Sequence, residues 1–193
     1  MEKGKVKQKV VLIGGSAGSI EVLMKVLPEL SPPLGYALVI VLHRKAGEDM
    51  MLEELVAMKT DIPVRELDDK TVLEEECIYI APADYHLLFE EDNTLSLDIS
   101  EKINYSRPSI DVAFESAAQV YGPNLTCILL SGANADGTQG LIAVRQHGGH
   151  IIIQAPHTAG MPFMPENALA NVTPHYIMDA PQIIQFLNGQ ALS

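Results

Sequence analysis

The chain has 193 residues, of which 47% are apolar, and its formal net charge at pH 7 is −12. This length provides one substantial hydrophobic core and is short for two independent domains, so we expect a single domain. An acidic chain is a poor ligand for nucleic acid or for an acidic membrane surface, because both carry negative charge. We therefore expect a partner that does not require a basic surface.

The N-terminal residues predict neither export nor a membrane anchor. Residues 1–9 are rich in lysine and form a short basic extension ahead of a domain over 10–193. The apolar run that follows ends at Gly14, which is too short for a signal peptide core or a membrane span. Cys77 and Cys127 lie far apart without metal-ligand spacing, so we expect buried, reduced thiols. These features predict a cytoplasmic protein.

The strongest local pattern lies at the start of this domain. An apolar, mostly β-branched run from Val10 to Ile13 predicts a strand buried on both faces, and the apolar spacing after Ser19 predicts a helix. Between them, Gly14-x-Ser16-x-Gly18 fits the nucleophile elbow, in which glycines permit a turn that exposes the serine hydroxyl. The first backbone N–H groups of the helix are then suited to stabilising an oxyanion.

Two other interpretations of this turn stay open on these residues alone. A glycine-rich turn between a strand and a helix also binds phosphate, but a dinucleotide fingerprint starting at Gly14 needs glycine where Ser16 stands. No lysine follows to complete a P-loop. The turn is otherwise structural, with Ser16 or Ser19 capping the helix.

The rest of the chain alternates strands with helices. The segment 84–98 predicts a β-hairpin turning at Asp92-Asn93. Alternation of buried strands with helical crossovers predicts an α/β fold with a doubly wound, mostly parallel sheet, helices on both faces and a small antiparallel hairpin insertion. The other predicted strands lie at 36–42, 62–65, 72–76, 77–82, 125–130 and 151–154, and the other predicted helices at 50–58, 109–121, 139–147, 166–170 and 181–187.

Three chemically useful residues each follow an apolar strand. Ser16, His43 and Asp136 come just beyond the carboxyl ends of predicted strands, which lie at one edge of a doubly wound sheet. A serine needs a base, a histidine can take and return its proton, and a carboxylate can orient the histidine. The chain order differs from the Ser, Asp/Glu, His order of α/β-hydrolases. On the residues alone, His43 also fits a polar strand end and Asp136 a turn or helix cap.

Six short motifs are spread along the chain. They are Gly-Gly-Ser-Ala-Gly-Ser at 14–19, His43 after 39–42, Tyr-Ile-Ala-Pro at 79–82, His-Leu-Leu at 86–88, Arg-Pro-Ser-Ile-Asp at 107–111, and Leu-Leu-Ser-Gly at 129–132 running to Asp-Gly at 136–137. In these motifs, and from about residue 10 to 187, the chain resembles the catalytic domain of the CheB family of chemotaxis protein-glutamate methylesterases. This resemblance implies that Ser16 is the nucleophile, that His43 is the general base and acid, and that Asp136 orients His43.

The resemblance also implies a substrate. Family members release methanol from glutamyl methyl esters on the helical signalling domain of methyl-accepting chemoreceptors, and they deamidate receptor glutamines. Both reactions pass through a tetrahedral oxyanion and an acyl-serine, and neither requires a cofactor. We expect no metal site either, because no nearby acidic partner completes a ligand set with His147, His150 or His157.

The chain departs from the family pattern at two loops. The family's Gly-Met-Gly-x-Asp-Gly is Gly-Ala-Asn-Ala-Asp-Gly at 132–137, and its Ser-Thr-Gly-Gly is Ser-Ala-Gly-Ser at 16–19. Backbone donors tolerate side-chain changes, so the N–H groups of Ala17 and Ala133 are the expected oxyanion donors. Arg107 is a candidate for binding a substrate carboxylate, although an arginine before proline equally fits a structural ion pair.

Family members usually carry an N-terminal receiver domain that covers the active site, and we expect none in this chain. The domain is then either free-standing or a piece of a larger assembly, and a separate regulatory or receiver protein is a candidate partner. The altered loop at Ala133 and Asn134 keeps a second hypothesis open, a catalytically silent adaptor that docks a receptor or a signalling protein.

Overall fold

The computed structural model describes residues 8–45, 47 and 49–189, so most of the predicted extension over 1–9 lies outside the described residues. The strands are β1 Val10–Gly15, β2 Ala37–Leu42, β3 Val64–Glu66, β4 Thr71–Val72, β5 Ile78–Ile80, β6 His86–Phe89, β7 Thr94–Asp98, β8 Leu125–Leu129, β9 His150–Gln154 and β10 Tyr176–Met178. The helices are α1 Ser19–Val26, α2 Asp49–Ala57, α3 Ile110–Tyr121, α4 Thr138–Gln146, α5 Phe163–Asn171 and α6 Ala180–Leu187.

Seven strands form one parallel sheet in the order β10-β9-β8-β1-β2-β5-β3. The chain leaves β1 towards β2 on one side and later returns to its other side at β8. Strand order therefore reverses at β1, and the loops that follow β1, β2 and β8 meet at the carboxyl edge of the sheet, where ligands bind in folds of this kind. The prediction of a doubly wound α/β fold is confirmed.

The sheet is covered on both faces, as the continuous apolar strands predict. Along β1, Val10 and Leu12 pack into one core with α3, α4 and α5, whereas Val11 and Ile13 pack into a second core with α1, α2 and α6. All four side chains are at most 5% exposed. The alternation follows from the two-residue repeat of a strand, which directs successive side chains to opposite faces. β1 is thereby fixed from both sides, and the turn after it starts from a rigid element.

The predicted hairpin is part of a small antiparallel sheet in the order β4-β7-β6. β6 packs on α3 on the same side of the main sheet as the first core. The chain that leaves β7 then passes over the carboxyl edge of the large sheet before it enters α3. This insertion therefore supplies one wall of the region where the candidate residues lie.

Three elements differ from the sequence prediction. The strand predicted over 72–76 is limited to Val72, because β4 ends there. The sequence analysis assigned no element to the segment of β10, because a pattern of three residues is too short to indicate a strand. Helix α5 begins at Phe163, three residues before the predicted start at 166, because Pro165 lies in the first turn, where a missing N–H costs nothing. Within 8–45, 47 and 49–189, the structure contains no helix with the length and apolarity needed to cross a bilayer.

Candidate active site

Ser16 lies in the turn that joins β1 to α1. Its backbone N–H donates to the Ser131 carbonyl at 2.9 Å, and its own carbonyl accepts from the N–H of Ser19 at 3.1 Å. Gly18 has φ of +82°, a left-handed conformation that favours glycine, and a Cβ there would lie 2.6 Å from the Ser131 hydroxyl. The turn therefore needs glycine both for its backbone angle and for the close approach of Ser131.

The register of the sheet places His43 level with Ser16. Gly15 pairs with Leu42 across the parallel strands β1 and β2, and the His43 N–H continues the ladder to the Gly15 carbonyl at 3.1 Å. Neighbouring strands lie about 4.8 Å apart, so the two residues leave adjacent strands side by side. His43 is mostly buried, with 11% of its side chain exposed.

Asp136 lies behind His43 in the loop between β8 and α4. Its Oδ2 is 2.7 Å from His43 Nε2, and its side chain is completely buried. The backbone N–H groups of Ile110 and Asp111, at the start of α3, donate to the same carboxylate at 2.7 and 3.0 Å. Ser109 donates its hydroxyl at 3.1 Å. The N-terminus of α3 thus fixes the Asp136 carboxylate, and this carboxylate orients the imidazole of His43.

The environment of Asp136 keeps it ionised. Burial alone raises the pKa of this carboxyl, but the hydrogen bonds from His43 and from the two backbone amides outweigh burial, and the net shift of the pKa is downward. An ionised carboxylate accepts hydrogen bonds only, so the His43 nitrogen that faces it carries the proton. The proton of neutral His43 therefore lies on Nε2, and Nδ1 is the basic nitrogen.

Asn134 contacts that basic nitrogen. Its Oδ1 accepts from the Asp136 N–H at 3.0 Å, which orients the side-chain amide so that Nδ2 faces His43 Nδ1 at 3.5 Å. Asn134 stands where the resembled family has glycine, so this contact accompanies the departure in the loop sequence. A separation of 3.5 Å is at the outer limit for a hydrogen bond, and the contact costs little to break when another donor approaches Nδ1.

The two expected oxyanion donors border the serine from two loops. Ala17 follows Ser16 and is exposed, and Ala133 is exposed in the loop after β8. A Cβ at Gly132 would lie 3.1 Å from the Ser16 Cβ, so the backbone just before Ala133 runs against the serine. Among the described residues, neither the Ala17 N–H nor the Ala133 N–H donates to a protein acceptor. Both donors are thus available to a ligand.

Ser16, Ala17 and His43 open into a cleft of about 570 Å³. Arg107 also lies in its wall, where its guanidinium donates twice to Asp84 and once each to the carbonyls of Ile99 and Ser100. Four of its five N–H donors are therefore already used. The complete lining is Ser16, Ala17, His43, Arg44, Lys45, Asp84, Lys102, Tyr105, Ser106 and Arg107.

The chain is similar to proteins of one known family. The family model described as CheB methylesterase matches residues 11–187. The chain belongs to the CheB methylesterase family. The crystal structure of the Thermotoga maritima CheB methylesterase catalytic domain superposes with a TM-score of 0.91 at 29% identity, and the match covers 95% of this chain and 99% of that domain.

Curated relatives of this CheB family member differ in length. A Leptospira interrogans protein, provisionally named a protein-glutamate methylesterase/protein-glutamine glutaminase, is 37% identical over 177 residues, which are 92% of each chain. The Thermotoga maritima protein-glutamate methylesterase/protein-glutamine glutaminase is 30% identical over 184 residues, covering 94% of this chain and 54% of that protein. The chain thus corresponds to nearly all of one relative and to about half of the other.

The structure of this CheB family member shows supporting residues that the sequence analysis missed. The Ser131 hydroxyl contacts the Ala17 carbonyl at 2.7 Å and accepts from the Met161 N–H at 2.8 Å, joining the nucleophile turn to the loop before α5. Gln154 holds the Ser131 N–H at 2.9 Å. The sequence signal for these residues was their position, since Ser131 follows the apolar strand β8 and Gln154 ends the apolar strand β9. The sequence does not indicate which groups they contact.

Asn104 is a second residue that the sequence analysis missed. Its Nδ2 donates to Asp111 at 2.8 Å and to Asp136 at 3.0 Å, so one amide bridges two buried carboxylates. No motif marks Asn104, which lies in an irregular loop. Among the described residues there is no group of three or more His, Cys, Asp or Glu side chains arranged to hold a metal ion.

Proposed function

We propose that this protein is a serine hydrolase that removes methyl esters from glutamyl residues of chemotaxis receptors and releases methanol. Ser16 is the nucleophile, His43 the general base and acid, and Asp136 the residue that orients His43. The observation that carries the proposal is the 2.7 Å contact of His43 with buried Asp136, behind a serine that opens into the same cleft. The names of the family and of its relatives support the substrate class.

In this proposal each proton has a defined route. His43 Nδ1 takes the proton of Ser16 as the serine oxygen attacks the ester carbonyl, while Nε2–H stays bonded to Asp136. When the tetrahedral intermediate collapses, the C–O bond to the methoxy group breaks and Nδ1 returns the proton to the leaving methanol. Water then attacks the acyl-serine with His43 again as base, which releases the glutamate and regenerates Ser16.

The oxyanion of each tetrahedral intermediate lies against the Ala17 and Ala133 N–H groups in this proposal. Loss of one such donor typically lowers kcat by ~10²–10³-fold, so two backbone donors account for a large part of the catalysis. The replacement of the family's methionine by Ala133 leaves this donor in place. The same donors serve a side-chain amide, and we propose that receptor glutamines are deamidated by the same steps with ammonia as the leaving group.

The cleft favours an acidic polypeptide substrate despite the charge of the whole chain. Four of the chain's thirteen lysines and arginines line the cleft, namely Arg44, Lys45, Lys102 and Arg107, whereas Asp84 is its only acidic lining residue among those described. Arg44 is paired with Glu53 at 3.2 Å and Arg107 with Asp84 at 2.7 Å, so the attraction for substrate carboxylates rests mainly on Lys45 and Lys102. Arg107 retains one N–H for a substrate carboxylate after its contacts with Asp84 and the two carbonyls.

The adaptor hypothesis is the less favoured alternative. It rests on the altered loop at Ala133 and Asn134, yet that loop still brings Asp136 to His43, and its backbone at Gly132 still runs against Ser16. We further propose that the protein acts in the cytoplasm, in keeping with two free and buried cysteines, and that a separate regulatory or receiver protein controls it.

The test is methanol release from a methyl-esterified chemoreceptor signalling domain, with ammonia release from the glutamine form measured in parallel. We expect methanol from the native protein and none above background from Ser16→Ala, which also excludes a contaminating esterase. A native protein that releases neither product from a substrate shown to be competent with a known esterase would contradict the proposal and favour the adaptor.

A further inference from the structure

A strap of eight residues, 99–106, crosses the carboxyl edge between β7 and α3 and forms one wall of the cleft. Arg107 fixes its beginning, because Nη1 donates to the Ile99 and Ser100 carbonyls at 3.0 and 2.9 Å. The remaining donors of that guanidinium hold Asp84 at 3.2 and 2.7 Å. Arg107 therefore joins the strap to the segment that precedes β6.

The tip of the strap is also fixed. Ile103 and Ser106 exchange two backbone hydrogen bonds, of 3.1 and 2.9 Å, around Asn104 and Tyr105. Both turn residues have positive φ, of 52° and 61° respectively, as in the two-residue turn of a tight hairpin. Asn104 anchors the turn inward through its two bonds to buried carboxylates, so its neighbour Tyr105 is held outward.

The strap exposes three large apolar side chains among its polar and charged residues. Tyr105 is 98% exposed, Ile99 69% and Ile103 44%, and Tyr85 beside Asp84 is 39% exposed. These are four of the twelve large apolar side chains that are exposed in the described part of the chain. Single exposed apolar residues are normal on a soluble protein, but a group of them on a fixed loop beside a cleft marks an interaction surface.

Two lysines lie on the cleft side of this apolar surface, although Glu101 on the strap and Asp84 in the cleft wall are acidic. Lys102 lies on the strap and Lys45 lies in the loop after β2, and both line the cleft that contains Ser16. On a chain of net charge −12 this is a local exception. A partner that covers the strap thus gains by placing carboxylates near the two lysines and apolar side chains on Tyr105 and the two isoleucines.

We infer that the strap is the docking surface for the macromolecular substrate, an acidic protein segment that also presents apolar side chains beside its glutamyl ester. The inference rests on the proposed function, because the strap borders the cleft of Ser16. Arg107 then acts as a positioning residue that fixes the strap. Docking outside the cleft brings an ester side chain to Ser16 while the rest of the partner stays on the surface.

The test measures binding separately from turnover. The Ser16→Ala protein, which keeps the surface intact, is titrated with a methyl-esterified chemoreceptor signalling domain, and Tyr105→Asn is added to it. Asparagine tolerates the left-handed backbone at this position, so the turn is kept. We expect the Kd to rise by at least tenfold. The matched control is Tyr176→Asn on β10, where an exposed tyrosine of the large sheet is removed and the Kd should change less than twofold.

Charge reversal gives a second, independent arm. Lys102→Glu should also raise the Kd at least tenfold, and added salt should reduce this difference because exposed charges are screened. Lys59→Glu, at an exposed position after α2, should change the Kd less than twofold. Thermal unfolding midpoints close to that of the Ser16→Ala parent would show that each variant is folded.

The outcomes separate the two proposals. Unchanged binding in both strap variants, or no binding by the Ser16→Ala protein, would overturn the docking surface. An absence of methanol release by the native protein would overturn the proposed function instead, and the binding titration does not depend on it.

Discussion

Asp136 shows what a sequence can and cannot indicate about a single residue. Its place after an apolar strand, in a loop ending Asp-Gly, predicted a carboxylate at the carboxyl edge of the sheet, and the structure puts it against His43. The groups around it were not predictable, because Asn104, in an irregular loop, and Ser109, just before α3, are 32 and 27 residues away from it along the chain. Position along a strand is encoded locally, whereas hydrogen-bond partners depend on the packing of the whole fold.

Asp111 and Asp136 form a buried pair of carboxyl groups, and the pH dependence of stability tests how they interact. Burial raises the pKa of the Asp111 carboxyl, and the negative charge of Asp136 raises it further. The folded protein therefore holds this proton more tightly than the unfolded chain, whose aspartates titrate near about pH 3.9. The free energy of unfolding should fall as the pH rises from about 4 through the raised pKa of Asp111.

The Asp111→Asn variant cannot ionise at this position, so its free energy of unfolding should fall much less as the pH rises. Urea unfolding at several pH values above about 4 measures this free energy for the variant and for the native protein. Asp136 acts with the opposite sign, because its lowered pKa contributes stability that is lost only as the pH falls below the ordinary aspartate range. Identical slopes for the native and Asp111→Asn proteins would show that the buried pair does not couple to folding.

At the scale of elements, the strongly apolar strands and the turn after β1 were predictable, and the weakly patterned elements were not. β1 and β2 are buried along their whole length, so their composition alone indicates them. β10 is a short edge strand that pairs on one side with β9, and its exposed residues carry no two-residue repeat. The strap 99–106 has no regular structure, and its arrangement depends on Arg107 and Asn104.

The turn between β1 and α1 yields a prediction from two glycines of similar backbone angle. Gly18 and Gly35 have φ of +82° and +69°, but a Cβ would clash with Ser131 Oγ only at Gly18, whereas Gly35 has nothing within 4 Å. Gly35→Ala should cost about 1 kcal/mol from the strained angle alone. Gly18→Ala should cost about 2 kcal/mol or more, because the Ser131 hydroxyl must also shift.

Urea unfolding of the two variants compares these costs, and methanol release provides a second readout. Gly18→Ala should also lower turnover, because Ser131 holds the Ala17 carbonyl beside the nucleophile, whereas Gly35→Ala should leave turnover near the native value. Equal losses of stability and equal turnover in the two variants would mean that the contact with Ser131 does not shape the turn.

For the whole molecule, the distribution of charge explains why the net charge alone was only a partial guide to the partner. The formal net charge of −12 favoured a partner that needs no basic surface. The fold nevertheless gathers Arg44, Lys45, Lys102 and Arg107 from separate segments into one cleft. Net charge is a sum over the sequence, whereas local charge depends on which loops the topology brings together.

Because both faces of the sheet are buried, truncation of either of two neighbouring residues of β1 should cost similar stability. Leu12 packs on one face and Ile13 on the other, and each is at most 1% exposed. Leu12→Ala and Ile13→Ala should each lower the free energy of unfolding by about 2–5 kcal/mol, whereas a sheet covered on one face would tolerate one of them. Ile177→Ala, at a site that is 51% exposed, is the control and should cost at most about 0.5 kcal/mol. Tolerance of either core change would contradict the two-sided packing.

The most direct test of the central claim compares kcat for methanol release among Ser16→Ala, His43→Ala and the double variant. If the serine and the histidine act as one unit, each single change should lower kcat by at least ~10³-fold and the double variant should be no slower than the slower single variant. Losses that multiply in the double variant, or substantial turnover by Ser16→Ala, would contradict an acyl-serine mechanism built on His43.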